Sequence, residues 1–327
     1  MTTTGRTDAT IQHVLEPMEQ RYDVKPTFQQ RYVTLLGEKG FAEFMRYSTS
    51  FPKRAIRVNT LKISVEALLA RIPACWELQQ VPWCKEAFWI RHIEGRRDIG
   101  NLPEHILGYL YIQEPASMVP PLVLGAQPGD IVLDLCAAPG SKTTQIAQDM
   151  QHQGLLIANE YVASRLAPLS MNVQRLGVTN VICTVMDGHR VKDIMFDKIL
   201  VDAPCSGIGT LSKSPRTLQM WNPGMIRRIA QTQYSLLKHA YTLLQSGGTL
   251  VYSTCTTEPE ENEGVVTQFL QQHPDMQLQT IDLAIKRSEP ITRFEDKIYH
   301  QEIHKCLRIW PQDNDTEGFF IAKMTKL

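Results

Sequence analysis

No run of 18 or more apolar residues occurs among the 327, so no membrane-spanning helix is expected. The opening "MTTTGRTDAT" has no apolar segment and does not read as a secretory signal; residues 1–10 are expected to be a short disordered lead. No two of the seven cysteines form a C-x-x-C pair, and an odd count suits neither a zinc site nor a disulfide framework. No metal is expected, and reduced thiols fit the cytoplasm. Net charge is absent too: 34 basic residues balance 34 acidic ones, so bulk charge names no partner. What remains is an ordinary globular composition, 43% hydrophobic and 21% charged, long enough for two domains. A monomer is the expectation.

Charge is less even locally. No acid lies between Phe44 and Val65, where Arg46, Lys53, Arg54, Arg57 and Lys62 stand. None lies between Leu211 and Thr257, where Lys213, Arg216, Arg227, Arg228 and Lys238 stand. Each stretch reads either as solvated helix faces or as part of a phosphate-binding surface.

From about residue 126 the pattern alternates. "DIVLDLC", "GLLIANE", "NVICTVMD" and "FDKILVDAP" are short apolar runs suited to buried parallel strands. Helical spacing fills the segments between, and Gly177 is placed to stop one helix. "NPGMIRRIAQTQYSLLKHAYTLLQSGG" reads as a long helix with a Gly-Gly stop, and "TLVYSTC" as a fifth strand. Thr257 and Glu260 fit a capping box for the next helix, and "KCLRIWP" and "GFFIAKM" fit a closing strand pair. The fold class is α/β, a doubly wound Rossmann-like sheet over 126–327. Residues 11–125 differ. They read as helical to about 50, then as strands in "RAIRVNTLK", "WELQQVPW" and "AFWIRHI" around a helix in "SVEALLARI". That is a smaller N-terminal α+β module, expected to bind RNA. Trp76, Trp83 and Trp89 are expected in cores or between the two parts.

Ligands of such sheets bind beyond the carboxyl ends of the strands. In "LDLCAAPGSKT" an acid ends the first strand, and a glycine-containing turn opens a helix. The turn matches neither G-x-G-x-x-G nor G-x-x-x-x-G-K-[ST], which weakens nicotinamide and P-loop readings. Ala137, Ala138 and Gly140 are small enough for a ligand to approach the backbone. Glu160 ends the second strand, where an acid accepts from ribose hydroxyls, and Asp187 ends the third, placed for an adenine. Each acid alone reads as a cap or turn residue; together they describe a nucleoside pocket. Lys142 opens a helix whose dipole disfavours a cation, which hints at a ligand or base contact. Cys75, Cys183 and Cys306 read as buried, inert thiols, and packing is the plainer reading of Cys136.

"DLCAAPGSKT", "DAPCSGIGTL", "GGTLVYSTCTTEPEENE" and "GFFIAKM" resemble the NOL1/NOP2/Sun family of RNA cytosine-5 methyltransferases. "RVNTLKISV", "VPWCKEAFWI" and "YIQEPASM" resemble its N-terminal region, so the likeness runs from about residue 50 to the end. It implies a class I methyltransferase sheet, S-adenosyl-L-methionine as methyl donor, and rRNA or tRNA as partner. The cofactor turn would then be Cys136, Ala137, Ala138, Pro139, Gly140, Ser141 and Lys142, with Glu160, Asp187 and Asp202 completing the pocket. Arg57, Asn59 and Arg227 are expected on RNA.

The chemistry agrees with that implication. Cytosine C5 is a poor nucleophile until a thiolate adds at C6, which is covalent catalysis. A nearby acid should protonate N3 as the thiol adds, and Asp202, three residues before Cys205, suits that role. Two cysteines qualify as nucleophile. DNA cytosine-5 methyltransferases use a Pro-Cys after strand four, here Pro204-Cys205. The resemblance instead implies the Thr-Cys after strand five, Thr254-Cys255, with Cys205 assisting product release. The readings left open are a non-catalytic RNA-binding or assembly factor on a methylase fold, and a methyltransferase acting on DNA or another base.

Overall fold

The structure, a computed structural model, describes residues 24–327; the expected lead and the start of the first helix lie outside them. The first described helix, Pro26–Thr49, breaks at Gly37, whose φ of 72° no helix accommodates. An antiparallel sheet follows, built from β1 (Ala55–Val58), β2 (Trp76–Gln80), β3 (Ala87–His92) and β4 (Leu110–Ile112) in the order β2-β3-β1-β4. Ser64 caps the helix Val65–Arg71 by accepting from the Ala67 N–H. The strand β4 lies in a segment that reads as a connector; its three residues gain strand geometry only by pairing with β1. Strand alternation gives this sheet two faces. Ile56, Val58, Phe88 and Ile90 close over Leu68 as the module's own core. Ala55, Ala87 and Tyr111 turn the other way and join the core of the larger domain. Trp76 sits in the first core, Trp83 in the second, with Trp89 packed on its edge.

Five parallel strands form the centre of the larger sheet: β5 (Ile131–Asp134), β6 (Leu155–Glu160), β7 (Val181–Val185), β8 (Phe196–Asp202) and β9 (Leu244–Thr254). Then come β10 (Met276–Gln279), the hairpin β11 (Arg293–Phe294) and β12 (Lys297–Ile298), β13 (Leu307–Ile309) and β14 (Phe319–Lys326). The order is β10-β14-β9-β8-β5-β6-β7, with β14 antiparallel to β9 and β13 pairing β14. The strand order reverses between β5 and β8, which is where such sheets hold ligands. Both faces are covered. Ile146, Leu169 and Val173 pack on one, and Leu237, Ala240 and Phe269 on the other. Buried on both sides, β5 and β8 carry short apolar runs, Ile131–Leu133 and Ile199–Val201, each closed by an aspartate at the strand end. Gly177 takes φ 73° at the end of the helix Leu166–Leu176, as its position predicts.

Two expectations fail. Gly247 and Gly248 do not end the helix Pro223–Leu243; the chain enters β9 at Leu244 and passes through both glycines, with the register shifting opposite Phe196 and Lys198. Thr257 and Glu260 form no capping box. Residues Glu260–Gly264 make a π-helical turn instead, Thr257 Oγ1 meets the Tyr32 hydroxyl at 2.7 Å, and Glu260 pairs with Arg31. The N-terminal helix competes successfully for both side chains. No helix among the described residues is long and apolar enough to cross a membrane.

Candidate active site

The strand ends β5 to β9 converge on a cleft of about 650 Å³, lined by Cys136, Ala138, Glu160, Asp187, Asp202, Cys205 and Cys255 among others. Glu160 is the last residue of β6. Its Oε2 accepts from the Ala138 N–H at 3.3 Å and its Oε1 from the Val162 N–H at 2.9 Å. Asp187 lies just beyond β7 and accepts from the His189 N–H at 3.0 Å and meets His189 Nδ1 at 2.7 Å. The His189 backbone and ring hold the Asp187 carboxyl below its ordinary value. A carboxylate has about four acceptor positions, so both acids keep lone pairs free for hydroxyl or amino donors. That acceptor capacity, facing one cleft beside the small Ala138, fits the nucleoside end of S-adenosylmethionine. The third acid behaves differently. Asp134 is buried, takes the Thr143 hydroxyl at 2.7 Å on Oδ2, and has no partner on Oδ1. Burial pushes it up to about 7. It fastens the turn to the helix Ser141–Asp149 and does not line the cleft.

The rest of the turn divides as well. Cys136 lines the cleft, where burial raises its thiol. Pro139, Gly140 and Ser141 do not. Gly140 has φ 101°, and a Cβ there would meet Leu169 Cδ1 at 3.1 Å, so the glycine serves backbone geometry and helix packing rather than ligand approach. Ala137 is buried and donates its N–H to Asn159 O at 2.8 Å.

Lys142 reaches the other side of the strand ends. Its Nζ lies 2.7 Å from Asp202 Oδ2 and donates to Ser117 Oγ at 3.1 Å, with the side chain only 10% exposed. Burial opposes its charge, but Asp202, then Cys255 and Asp134, outweigh burial and raise the ammonium above its ordinary value. This explains the cation at a helix start: its partner is on β8. Asp202 Oδ1 accepts from the Ser253 hydroxyl at 2.8 Å. Beside this pair the two thiols meet, Cys205 Sγ to Cys255 Sγ at 3.1 Å, both free. The hydrogen bond to Cys255, then burial, push the Cys205 thiol well up. Lys213 is raised despite burial by Glu317, Glu114 and Cys255. Cys205 is therefore held neutral beside Cys255.

The acids of "TEPEENE" hold this arrangement in place. Glu258 is buried and accepts from Trp221 Nε1 at 2.7 Å and Arg31 Nε at 2.9 Å. Glu261 Oε2 accepts from the Ser206 N–H at 3.0 Å and Gln233 Nε2 at 2.8 Å, which ties the Cys205 loop to the Cys255 loop. Glu263 pairs with Arg308 through Nε at 2.8 Å and Nη2 at 2.6 Å, both side chains at most 1% exposed. Asn262 takes the Thr254 hydroxyl at 2.6 Å. Sequence reasoning missed these partners; the only signal was an unusual density of acids and amides right after a strand.

Arg57 and Asn59 are not on an RNA surface. Arg57 is fully buried and donates to Gln113 Oε1 at 2.7 Å, Ser141 O at 3.0 Å and Thr144 Oγ1 at 3.0 Å; burial lowers it to about 10. Asn59 Nδ2 donates to Gly108 O at 2.8 Å and Leu176 O at 2.9 Å. Both clamp the N-terminal module to the helices flanking the cofactor turn. Arg227 is exposed, in a hollow shared with Glu260 and Lys297 and distinct from the groove lined by Lys53 and Arg54.

Residues 121–325 match the family described as 16S rRNA methyltransferase RsmB/F, and residues 25–115 match the N-terminal domain of 16S rRNA methyltransferase RsmF. The chain is 42% identical over 287 residues to a tRNA (cytosine(49)-C(5))-methyltransferase of Pyrococcus abyssi, covering 87% of this chain and 91% of that one. It is 42% identical over 292 residues to Ribosomal RNA small subunit methyltransferase F of Shewanella sediminis, covering 87% of this chain but only 59% of the relative. The crystal structure of NSun6 from Pyrococcus horikoshii with SFG superposes with a TM-score of 0.81 at 26% identity, covering 92% of this chain and 98% of that one. SFG is an S-adenosylmethionine analogue. By these matches the chain belongs to the NOL1/NOP2/Sun family of RNA cytosine-5 methyltransferases.

Proposed function

We propose that this protein methylates C5 of a cytosine in structured rRNA or tRNA, through a covalent bond between Cys255 and C6. Bound S-adenosylmethionine supplies an electrophilic methyl carbon. Glu160 and Asp187 would hold its nucleoside end, in the part of the cleft that Cys136 and Ala138 also line. The Cys255 sulfur bonds to C6 as its thiol proton passes by way of the Asp202 carboxylate, held by Lys142, to N3, and the C5–C6 electron pair becomes available at C5. After C5 has gained its methyl group, the C5 proton leaves to solvent, the S–C6 bond breaks, and N3 returns its proton by way of Asp202 to the departing sulfur. Cys205 donates to the departing Cys255 sulfur from 3.1 Å.

The observation that carries this assignment is geometric: the Cys205 and Cys255 sulfurs lie 3.1 Å apart in the cleft that Glu160 and Asp187 also line, and the Lys142–Asp202 ion pair, 2.7 Å across, brings an acid to the same cleft. The test is incubation of the protein with tritiated S-adenosylmethionine and total RNA from a strain lacking the gene, followed by nucleoside analysis. Label in 5-methylcytidine from rRNA or tRNA supports the reading. Label only in another nucleoside, or none, contradicts it.

A further inference from the structure

With Arg57 and Asn59 buried, the basic charge of residues 44–65 has to be sought elsewhere. Beyond the contact with the larger domain, the face of the small sheet that carries Trp89 opens into a groove of about 520 Å³. Lys53, Arg54, Arg91, Arg96 and Arg97 line it, and Glu77 is its one acidic lining residue among those described. Arg91 pairs with Glu77, and Arg96 with Asp98 at 2.6 Å. Arg54 and Arg97 have no acidic partner among the described residues. Phe51 stands at the wall, 67% exposed, with the Arg97 guanidinium carbon 4.7 Å from its ring centroid. An exposed aromatic ring among unpaired guanidinium groups is the combination that stacks a base and holds its phosphate.

The groove also connects with the thiols. Lys53 Nζ lies 2.8 Å from Asp315 Oδ2. Two residues on, Glu317 Oε1 lies 2.6 Å from Nζ of Lys213, which follows Cys205 on the same loop. A strand leaving the target cytosine past Lys213 would meet Lys53 and then Phe51.

We propose that this groove binds single-stranded RNA flanking the target base, stacking a base on Phe51 and seating phosphates on Arg54 and Arg97. The proposal rests on the RNA methylation reading above. Duplex RNA hides its base faces, so the stacking half of the site requires an unpaired strand.

Fluorescence anisotropy with a labelled single-stranded RNA of about 20 nucleotides, and the same sequence as a duplex, tests it across a KCl titration. Arg54→Gln with Arg97→Gln should weaken single-strand binding and flatten the log–log salt slope by roughly 1.4, about 0.7 per lost phosphate contact. Phe51→Ala should weaken it roughly five- to hundredfold with the slope unchanged. Lys85→Gln with Lys192→Gln, two exposed charges outside the groove, should leave the affinity within about threefold of wild type. Wild-type heat of S-adenosylmethionine binding in each variant certifies the fold. Unchanged affinity and slope in the groove variants, or equal losses for duplex and single strand, would overturn the groove while leaving methylation intact. A wild-type protein that binds cofactor but no RNA would overturn the functional reading and the groove together.

Discussion

Cys205 and Cys255 leave adjacent parallel strands and end 3.1 Å apart, yet their loops are held very differently. The loop after β9 is bolted at three points: Glu258 to Arg31 and Trp221, Asn262 to Thr254, and Glu263 to Arg308. The loop after β8 is held by single hydrogen bonds, with no ion pair of its own acids among the described residues: Glu261 accepts from the Ser206 N–H, Thr256 meets the Ser206 hydroxyl at 2.7 Å, and Gln233 Nε2 donates to Pro204 O at 2.9 Å. In the proposed reaction a nucleophile has to meet C6 along one direction, which fixed geometry at Cys255 would serve. A thiol proposed to assist departure needs only to stay protonated and near, and the contact with Cys255 together with burial keeps the Cys205 thiol protonated.

The largest way to break this difference is to remove a bolt. Glu263→Ala leaves Arg308 buried and uncompensated and should cost ~3–5 kcal/mol in denaturant unfolding. Ser206→Ala on the other loop should cost at most ~1 kcal/mol. Equal costs would remove the contrast between the loops. Next comes the ion pair beside the thiols. Lys142→Met should lower turnover by about 10²–10³-fold, the range for losing one preorganised electrostatic group, with cofactor affinity unchanged in calorimetry. A loss confined to cofactor binding would reassign Lys142.

Glu261 links the loops and is pushed up to about 7 by burial, from an ordinary 4.5. Folded protein thus binds its proton more tightly than unfolded protein does. Stability at this site falls as pH rises from about 4.5 to about 7. Glu261→Gln should remove that fall, so its stability relative to wild type should improve by roughly 1–3 kcal/mol between pH 5 and pH 8. Parallel pH profiles for the two proteins would show that the carboxyl does not titrate there. The smallest effect is expected at the far end of the cleft. Asp187 is exposed, and Asp187→Ala should weaken S-adenosylmethionine binding by about tenfold without changing the unfolding midpoint. Wild-type affinity by calorimetry would take Asp187 out of the pocket.

What the sequence made legible follows from burial. β5, β6 and β8 are covered on both faces, so their apolar runs and strand ends stood out, and Glu160, Asp202, Cys205 and Cys255 fell where the α/β pattern placed them. Side chains whose partners are distant in the chain were not legible. Arg57 looks like a surface cation until Gln113, Ser141 and Thr144 surround it. Glu260 looks like a capping residue until Arg31 arrives from more than two hundred residues away. Lys142 looks misplaced until Asp202 is beside it. β4 has too few residues to show a period and exists because β1 pairs with it.

The division of labour between the thiols is tested most directly on a denaturing gel. Each variant is mixed with substrate RNA and S-adenosylmethionine, and the RNA-linked protein is read as a shifted band. Cys255→Ala should give no shifted band and no methylation. Cys205→Ala should give a strong one, because attack and methyl transfer proceed while elimination stalls. Asp202→Asn should weaken both adduct and turnover. A band in Cys255→Ala with none in Cys205→Ala would make Cys205 the nucleophile, and methylation retained by both variants would contradict a covalent mechanism.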